Sequence, residues 1–421
     1  MDKFIIRGGK KLVGKVSASG AKNASLALMP ASLLAQGTST LYNTPELNDV
    51  YTMIKLLKNL GVESEFYNNV LRVDTSNVTN FVAPYEHVKK MRASVYVLGP
   101  LLTRYGYAKV SLPGGCAWGP RPINLHLEGL KKMGAEIELS EGYIIAKANK
   151  LKGTKINFDV SSVGATGNIL MASVLAKGTT IINNAAIEPE ITNLAEYLIK
   201  MGAKIDGINT TTLTIEGVDS LYSTDIETIS DRIEAGTLLI AGAISKGKVL
   251  VENIDPNFLN ALILKLEDSG CKVTVLKNAI ELDAFDIAIK PTDVSTAPFP
   301  GFATDLQAQW TAYMTLAEGV STVTDTIYLD RFMHVPELVR LGADIVVKEN
   351  SAVIRGVKKL IGAKVMSTDL RASASLVLAG LAAEGKTEVL RVYHLDRGYQ
   401  KIEEKLNQMG AEIQRVEGTE Y

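Results

Sequence analysis

The feature that most constrains this chain is internal repetition. Six times an apolar helical stretch ends in a glycine and passes at once into strand-like sequence: LKNLGVES, LKKMGAEI, LIKMGAKI, LEDSGCKV, LVRLGADI and LNQMGAEI, around Gly61, Gly134, Gly202, Gly270, Gly342 and Gly410. A second series alternates with the first, as LLAQGTSTL, LTRYGYAKV, LAKGTTII, ISKGKVLV, LAEGVSTV and LAAEGKTEV, around Gly37, Gly106, Gly178, Gly247, Gly319 and Gly385. Each series recurs about every 70 residues, and such a period decides the architecture before any single motif is read. Glycine at these junctions is expected to take the left-handed conformation that ends a helix. Every unit therefore holds two helices and several strands, the strands alternating apolar and polar positions as in Lys248-Val249-Leu250-Val251-Glu252. Helical stretches such as 372–382 are apolar nearly all round, which implies helices inside a domain and sheets outside it. A solenoid of six units is the alternative, but the period is long for one, and two compact domains of three units each fit better.

The bulk numbers exclude some partners. With 45 basic residues against 46 acidic ones the net charge is −1, so no general basic field recommends nucleic acid. A phosphorylated small molecule needs only a local cluster of Arg and Lys. Two cysteines, Cys116 and Cys271, are too few for a disulfide framework and suit a reducing compartment. The opening MDKFIIRGG lacks the basic stretch and long apolar run of a secretory signal, and apolar stretches such as 373–383 are about half the length of a membrane-spanning helix. The expectation is a cytoplasmic protein without a membrane or nucleic-acid partner.

Several segments carry residues suited to chemistry. In LPGGCAWGPRPINLHLEG, glycines and prolines surround Cys116, a setting unlike that of an inert core cysteine, and Arg121 is placed to stabilise a thiolate or hold an anion. A flexible linker with an incidental cysteine remains open on composition alone. Cys271 occupies a position where the sister units have Ala or Val, and reads as a small core residue. In SASGAKNA a glycine-bounded turn leads into an apolar helix over 24–35, so that backbone amides and Lys22 suit a phosphate or carboxylate, with an ordinary helix start as the alternative. The stretch GGKKLVGKV is not a P-loop, because Val16 stands where a hydroxyl would be needed and strand-like sequence follows. Isolated charges occur among apolar or small residues at Arg92, Asp305, Arg331, Asp369, Arg371 and Arg397. Buried charges need partners, and arginines fanned around carboxylates suit a substrate with both phosphate and carboxylate groups. Structural ion pairs at helix starts are the alternative. His87, His126, His334 and His394 show no metal-ligand spacing, so no metal is expected.

Taken in order, SGAKNASLALMPASLLA, MRASVYVLGPLL, PGGCAWGPRPINLHLEG, SSVGATGNILMAS, PGFATDLQAQ, DRFMHVPELVRLGAD, TDLRASASLVLAGLAAEG and HLDRGYQKIEEKL span nearly the whole chain. In these segments the sequence resembles the UDP-N-acetylglucosamine 1-carboxyvinyltransferases, which share their fold with the enolpyruvylshikimate phosphate synthases but differ from them in the cysteine loop. The resemblance implies an α/β fold, a two-domain inside-out α/β barrel built from six repeats. One globular domain would comprise 22–229 and the other 1–21 with 230–421, with the active site in the cleft between them.

The resemblance also implies roles residue by residue. Lys22, Arg121 and Arg397 would hold the phosphate of phosphoenolpyruvate, Arg331 and Arg371 its carboxylate, and Asn23 would lie between the substrates. Arg92, the run Arg121, Pro122, Ile123, Asn124 and Leu125, then Ser162, Val163 and Gly164, and Asp305 and Ile327 would contact UDP-N-acetylglucosamine. Cys116 would deliver a proton to the methylene carbon and can add covalently, Asp305 would accept the proton of the sugar 3-hydroxyl, and Asp369 would sit beside them. Some family members carry Lys where this chain has Val160, which puts one diphosphate contact in question. Neither a metal, nor an organic cofactor, nor an obligate protein partner is implied.

Overall fold

The computed structural model describes residues 2–89, 91–112 and 123–418. The chain divides into two compact units, Gly20–Ile229 and a second formed by Met1–Ser19 with Ser230–Tyr421. Each has its own apolar core, drawn entirely from its own residues.

One repeat shows how the sequence builds the pattern. Strand Lys155–Asn157 leads into helix Val163–Ser173, strand Thr179–Asn183, helix Pro189–Lys200 and the strands Lys204–Asp206 and Thr212–Glu216. The first two strands pair in parallel, which requires a crossover, and the helix Val163–Ser173 supplies it. The last strand then inserts antiparallel between Thr179–Asn183 and Lys204–Asp206. Thr212–Glu216 buries Leu213 and Ile215 and turns its other residues outward, as a period of two requires. The crossover helix is buried from Ala165 to Ser173. Six four-stranded sheets repeat this order, so the inside-out arrangement expected from the sequence is the one found.

The crossover helices Arg232–Ile244 and Leu370–Ala382 are likewise buried along almost their whole length. Their starts are fixed by side-chain caps. Asp231 accepts from the amides of Ile233 and Glu234 at 2.8 and 3.0 Å, and Asp369 from those of Arg371 and Ala372 at 2.9 and 3.1 Å. A cap of this kind stabilises a helix by about 1 kcal/mol. The helix expected over 24–35 begins earlier, at Lys22, and after Pro30 its last turn tightens into a 3-10 turn at Ser32–Leu34.

Both units close with a strand from a distant part of the sequence. In the first, Ile226–Glu227 pairs in parallel with Thr38–Tyr42. In the second, Val13–Ser17 lies parallel to Lys248–Glu252, and Lys3–Arg7 sits between Lys386–Leu390 and Glu412–Val416, antiparallel to both.

The junction glycines take positive φ as expected, except Gly247. There the left-handed residue is Lys246, with φ 51°. Gly247 is needed for a different reason: a Cβ on it would lie 2.0 Å from the carbonyl oxygen of Leu12, where the strand Val13–Ser17 approaches. A similar demand recurs at equivalent positions of both units, where a Cβ on Gly217 or Gly356 would lie 1.6 Å from the carbonyl oxygen of Ala176 or Ala317. Replacing either Gly217 or Gly356 by Ala is expected to destabilise its own unit by about 1–3 kcal/mol or more, since backbone must give way. Urea unfolding of the two variants checks this, and unchanged midpoints would refute the close approach.

Candidate functional site

In the unit that contains Ser230–Tyr421, three of the isolated charges singled out in the sequence meet. Asp305 lies in the 3-10 turn Thr304–Leu306 that opens helix Gln307–Met314, while Arg371 is the second residue of helix Leu370–Ala382. Arg331 comes from the segment after strand Val320–Thr324. The Asp305 carboxylate bridges the two arginines, Oδ1 at 2.8 Å from Arg331 Nη1 and Oδ2 at 2.8 Å from Arg371 Nη2. Both guanidiniums are nearly buried, with side chains 7% and 4% exposed, whereas that of Asp305 is 26% exposed. Burial works to lower the Arg371 pKa, but the Asp305 carboxylate together with Tyr399 and Asp231 outweighs it and holds the group above the usual arginine range.

These three groups by themselves carry one net positive charge, with the Asp231 carboxylate also near enough to act on Arg371. Arg371 Nη1 is buried and makes no hydrogen bond. Its protons suit an incoming anion, because a donor buried and unsatisfied costs free energy that a ligand can recover. The Arg371 guanidinium also stacks over the Tyr399 ring, 5.4 Å from its centre. Asp369 caps the helix that carries Arg371, so the cap and the cation are set by the same turn. Arg397 ends the 3-10 helix Val392–Arg397. Burial first, then the positive charges of Arg397 and Arg391, push the His394 imidazole down, while Asp369 pulls it up. Arg397 and Asp369 therefore act on the same ring. Ile327 is held by its backbone, its amide donating to Asp325 Oδ1 at 2.9 Å.

In the unit Gly20–Ile229, Lys22 is the first residue of helix Lys22–Ala31, and its Nζ stands 3.6 Å from Asp49 Oδ2. Asn23 is exposed beside it. Arg92 opens the 3-10 helix Arg92–Val97, which packs against both helix Lys22–Ala31 and helix Val163–Ser173. Ile123 precedes helix Asn124–Lys132, on which Leu125 lies, and Ser162 caps Val163–Ser173 by accepting from the Ala165 amide at 3.3 Å. His126 joins these segments. Its Nδ1 lies 3.0 Å from Asn168 Nδ2, and Asn168 Oδ1 accepts from the Gly99 amide at 2.7 Å. The amide orientation makes Nδ1 the acceptor and leaves the proton on Nε2, which would lie 3.2 Å from a Cβ on Gly164. Glycine at that position lets the helix start come against the imidazole.

Cys116, Arg121 and Pro122 lie outside the described residues. Cys271 is buried as expected, its Sγ 3.4 Å from the Tyr313 hydroxyl, and burial pushes its thiol pKa up. Val160 is 68% exposed. Sequence reasoning missed Asp49, Gln309 and Asp325. Gln309 had a signal, a carboxamide inside a helix buried on all sides, and its Nε2 donates to the Asp305 carbonyl at 2.9 Å. Among the described residues, no group of three or more His, Cys, Asp or Glu is placed to hold a metal ion.

The buried His126 makes stability depend on pH. Burial and the Arg92 charge push its pKa to about 4, below the ordinary histidine value, so the unfolded chain binds the extra proton first as pH falls. The stability this group contributes is complete above the unfolded pKa and is lost as pH falls through about 4, with a slope of at most about 1.4 kcal/mol per pH unit. His126→Gln, whose carbonyl can still accept from Asn168, should flatten that decline in urea unfolding between pH 7 and 4. An unchanged slope would remove His126 as its source.

The family model described as EPSP synthase (3-phosphoshikimate 1-carboxyvinyltransferase) matches residues 6–406. The chain is 57% identical to the UDP-N-acetylglucosamine 1-carboxyvinyltransferase of Chloroherpeton thalassium, over 100% of this chain and 99% of that protein. It is 56% identical to the one of Chlorobium limicola, over the whole of both. Among solved structures it is similar to the enolpyruvyl transferase NikO of Streptomyces tendae, with TM-score 0.89 at 25% identity over 99% of each chain. The EPSP synthase of Acinetobacter baumannii shares the fold, with TM-score 0.76 at 18% identity, covering 99% of this chain and 100% of that one.

Proposed function

Because the chain belongs to the EPSP synthase family, and within it with the UDP-N-acetylglucosamine 1-carboxyvinyltransferases, we infer that it transfers the enolpyruvyl group of phosphoenolpyruvate to the 3-hydroxyl of UDP-N-acetylglucosamine. Phosphate is released, and the reaction is the first committed step of peptidoglycan precursor synthesis. Full-length similarity at 57% identity is the observation that carries this reading.

The residue types support an addition and elimination. Cys116 protonates the methylene carbon of phosphoenolpyruvate, which leaves C2 electron-poor, and the thiol can also add there covalently. The sugar 3-oxygen attacks C2 as Asp305 takes its proton. The tetrahedral adduct then breaks its C2–O bond to phosphate, whose charge Lys22, Arg121 and Arg397 stabilise, while its methyl group gives one C3 proton back to the thiolate left on Cys116, so that the C2–C3 double bond re-forms. Arg331 and Arg371 hold the carboxylate of phosphoenolpyruvate. The Arg371 Nη1 protons, which make no internal hydrogen bond, receive that carboxylate without breaking the pair with Asp305. Asn23 lies between the substrates, while Arg92, Ile123 to Leu125, Ser162 to Gly164 and Ile327 engage the nucleotide sugar, and Asp369 fixes the turn that carries Arg371. The reaction needs electrostatic stabilisation more than redox or Lewis-acid chemistry, so no cofactor enters the scheme. No described helix is long and apolar enough to cross a membrane, and a cytoplasmic enzyme acting on two small molecules, without nucleic acid, membrane or obligate protein partner, is the setting we assign.

Phosphate release that requires both phosphoenolpyruvate and UDP-N-acetylglucosamine is the expected result of a coupled assay. Release with shikimate 3-phosphate but never with the nucleotide sugar would replace this reading by the sister activity. The epoxide fosfomycin should label the protein once, at Cys116, because Cys271 is buried with its thiol pKa raised. Cys116→Asp should retain part of the activity and take no label. Peptide mass spectrometry that finds the adduct on Cys271 would contradict the assignment of the reactive thiol.

A further inference from the structure

Asp325 is fully buried, at 0% exposure. It directly follows the strand Val320–Thr324, anchored on both sides of its backbone: its amide donates to the Asn350 carbonyl at 2.9 Å, and its carbonyl accepts from Asn350 Nδ2 at 3.1 Å. Four hydrogen bonds converge on its side chain. Oδ1 accepts from Thr296 Oγ1, the Ile327 amide and the Tyr328 amide, each at 2.9 Å, and Oδ2 accepts from Thr304 Oγ1 at 2.7 Å.

A carboxylate only accepts, so the single hydroxyl proton of Thr304 is committed to Asp325. The other side of the Thr304 oxygen then carries lone pairs alone. Those lone pairs face Arg331 Nη1 at 2.9 Å, and the same nitrogen reaches Asp305 Oδ1 at 2.8 Å. Both protons of Arg331 Nη1 are thereby directed, one to Thr304 and one to Asp305. Were the hydroxyl reversed, its proton would oppose that of the guanidinium.

We propose that Asp325 is a positioning residue for the transfer: by fixing the direction of the Thr304 hydroxyl it aims Arg331 and holds Asp305, and by binding the Ile327 and Tyr328 amides it ties the nucleotide-sugar segment to the same point. The inference rests on the reading of Asp305 as the acceptor of the sugar proton. One buried carboxylate sets both the group that takes the proton and the segment that places the hydroxyl giving it up. Pre-organisation of this kind acts on the transition state, because misaimed charges must otherwise reorient during the reaction.

Steady-state phosphate release with the full chain tests this on Thr304→Val, Thr304→Ser and Asp325→Asn. In Asp325→Asn the carbonyl can still accept at the Oδ1 position, but the amide now donates toward Thr304 and reverses its hydroxyl. Thr304→Val and Asp325→Asn should each lower kcat by roughly ten- to a hundredfold, as expected for a lost hydrogen bond to a charged group, while KM for UDP-N-acetylglucosamine stays within about twofold. Thr304→Ser should restore kcat. The double variant should be no slower than the slower single one, because both changes break the same relay. Near wild-type kcat in Thr304→Val, failure of serine to rescue, or additive losses in the double variant would each overturn the proposal. If Thr304→Val does not fold, Asp325→Asn, of nearly identical shape, supplies the same comparison against wild type. Failure of the underlying reading looks different: the wild-type protein itself would release no phosphate from the substrate pair.

Discussion

A helix that is apolar on every face can be satisfied only by being surrounded, and this constraint governs the rest of the structure. Helices Val163–Ser173, Arg232–Ile244 and Leu370–Ala382 bond their own backbones internally, so burial leaves only their side chains and ends to be accounted for. Several hydroxyls within them turn back onto the same helix: Ser173 to the carbonyl of Ile169, Thr237 to Ile233 and Ser375 to Ala372. Small residues on neighbouring helices permit close approach to them, as at Gly99 of helix Leu98–Tyr105, where a Cβ would meet Asn168 at 2.5 Å. Sheets then take the outside. The helix ends are what remain, and buried ends demand charge or caps, which is why Ser162, Asp231, Asp369, Lys22 and Arg371 all stand at or near helix starts.

The same demand explains how two buried guanidiniums persist in one core. Removing one partner of a buried pair commonly costs 3–5 kcal/mol. Here a single carboxylate serves both cations at 2.8 Å each, and it is the partner with access to solvent. Hydration of Asp305 offsets part of the desolvation of the pair, while the arginines stay fixed. A site that must receive an anion benefits from this asymmetry, because the cations need not rearrange to meet it.

Much of this was legible in the sequence, for identifiable reasons. The repeat dictates two helices and several strands per unit, and the all-round apolar helices dictate the inside-out layering. Asp305, Arg331 and Arg371 stand out because each is a charge among small or apolar neighbours, yet their convergence on one carboxylate depends on three segments far apart in the chain. Gly247 shows the limit of a local rule: its series promises a left-handed turn, but the approach of Leu12 decides the position, and Lys246 takes the turn instead. Asp325 was illegible because an aspartate after a strand is common, and nothing local tells that two threonines and two amides will bond to it. The two alternatives weighed for the charged residues are also not exclusive. Asp369 is a helix cap, and as a cap it sets the turn from which Arg371 extends.

The strand Lys3–Arg7 has a consequence for how the chain is made. It lies in the middle of a sheet, with register Lys3 to Leu390 on one side and Lys3 to Val416 on the other. During synthesis it leaves the ribosome before either neighbour exists. The unit Gly20–Ile229 draws every one of its strands from its own span and can complete its sheets while translation continues. The other unit cannot, and its first strand must wait as an unpaired apolar segment until the last repeat emerges. The nascent protein therefore finishes one half early while the first strand of the other still lacks both neighbours, and an unpaired strand edge of this kind is where a folding chain is most exposed to aggregation.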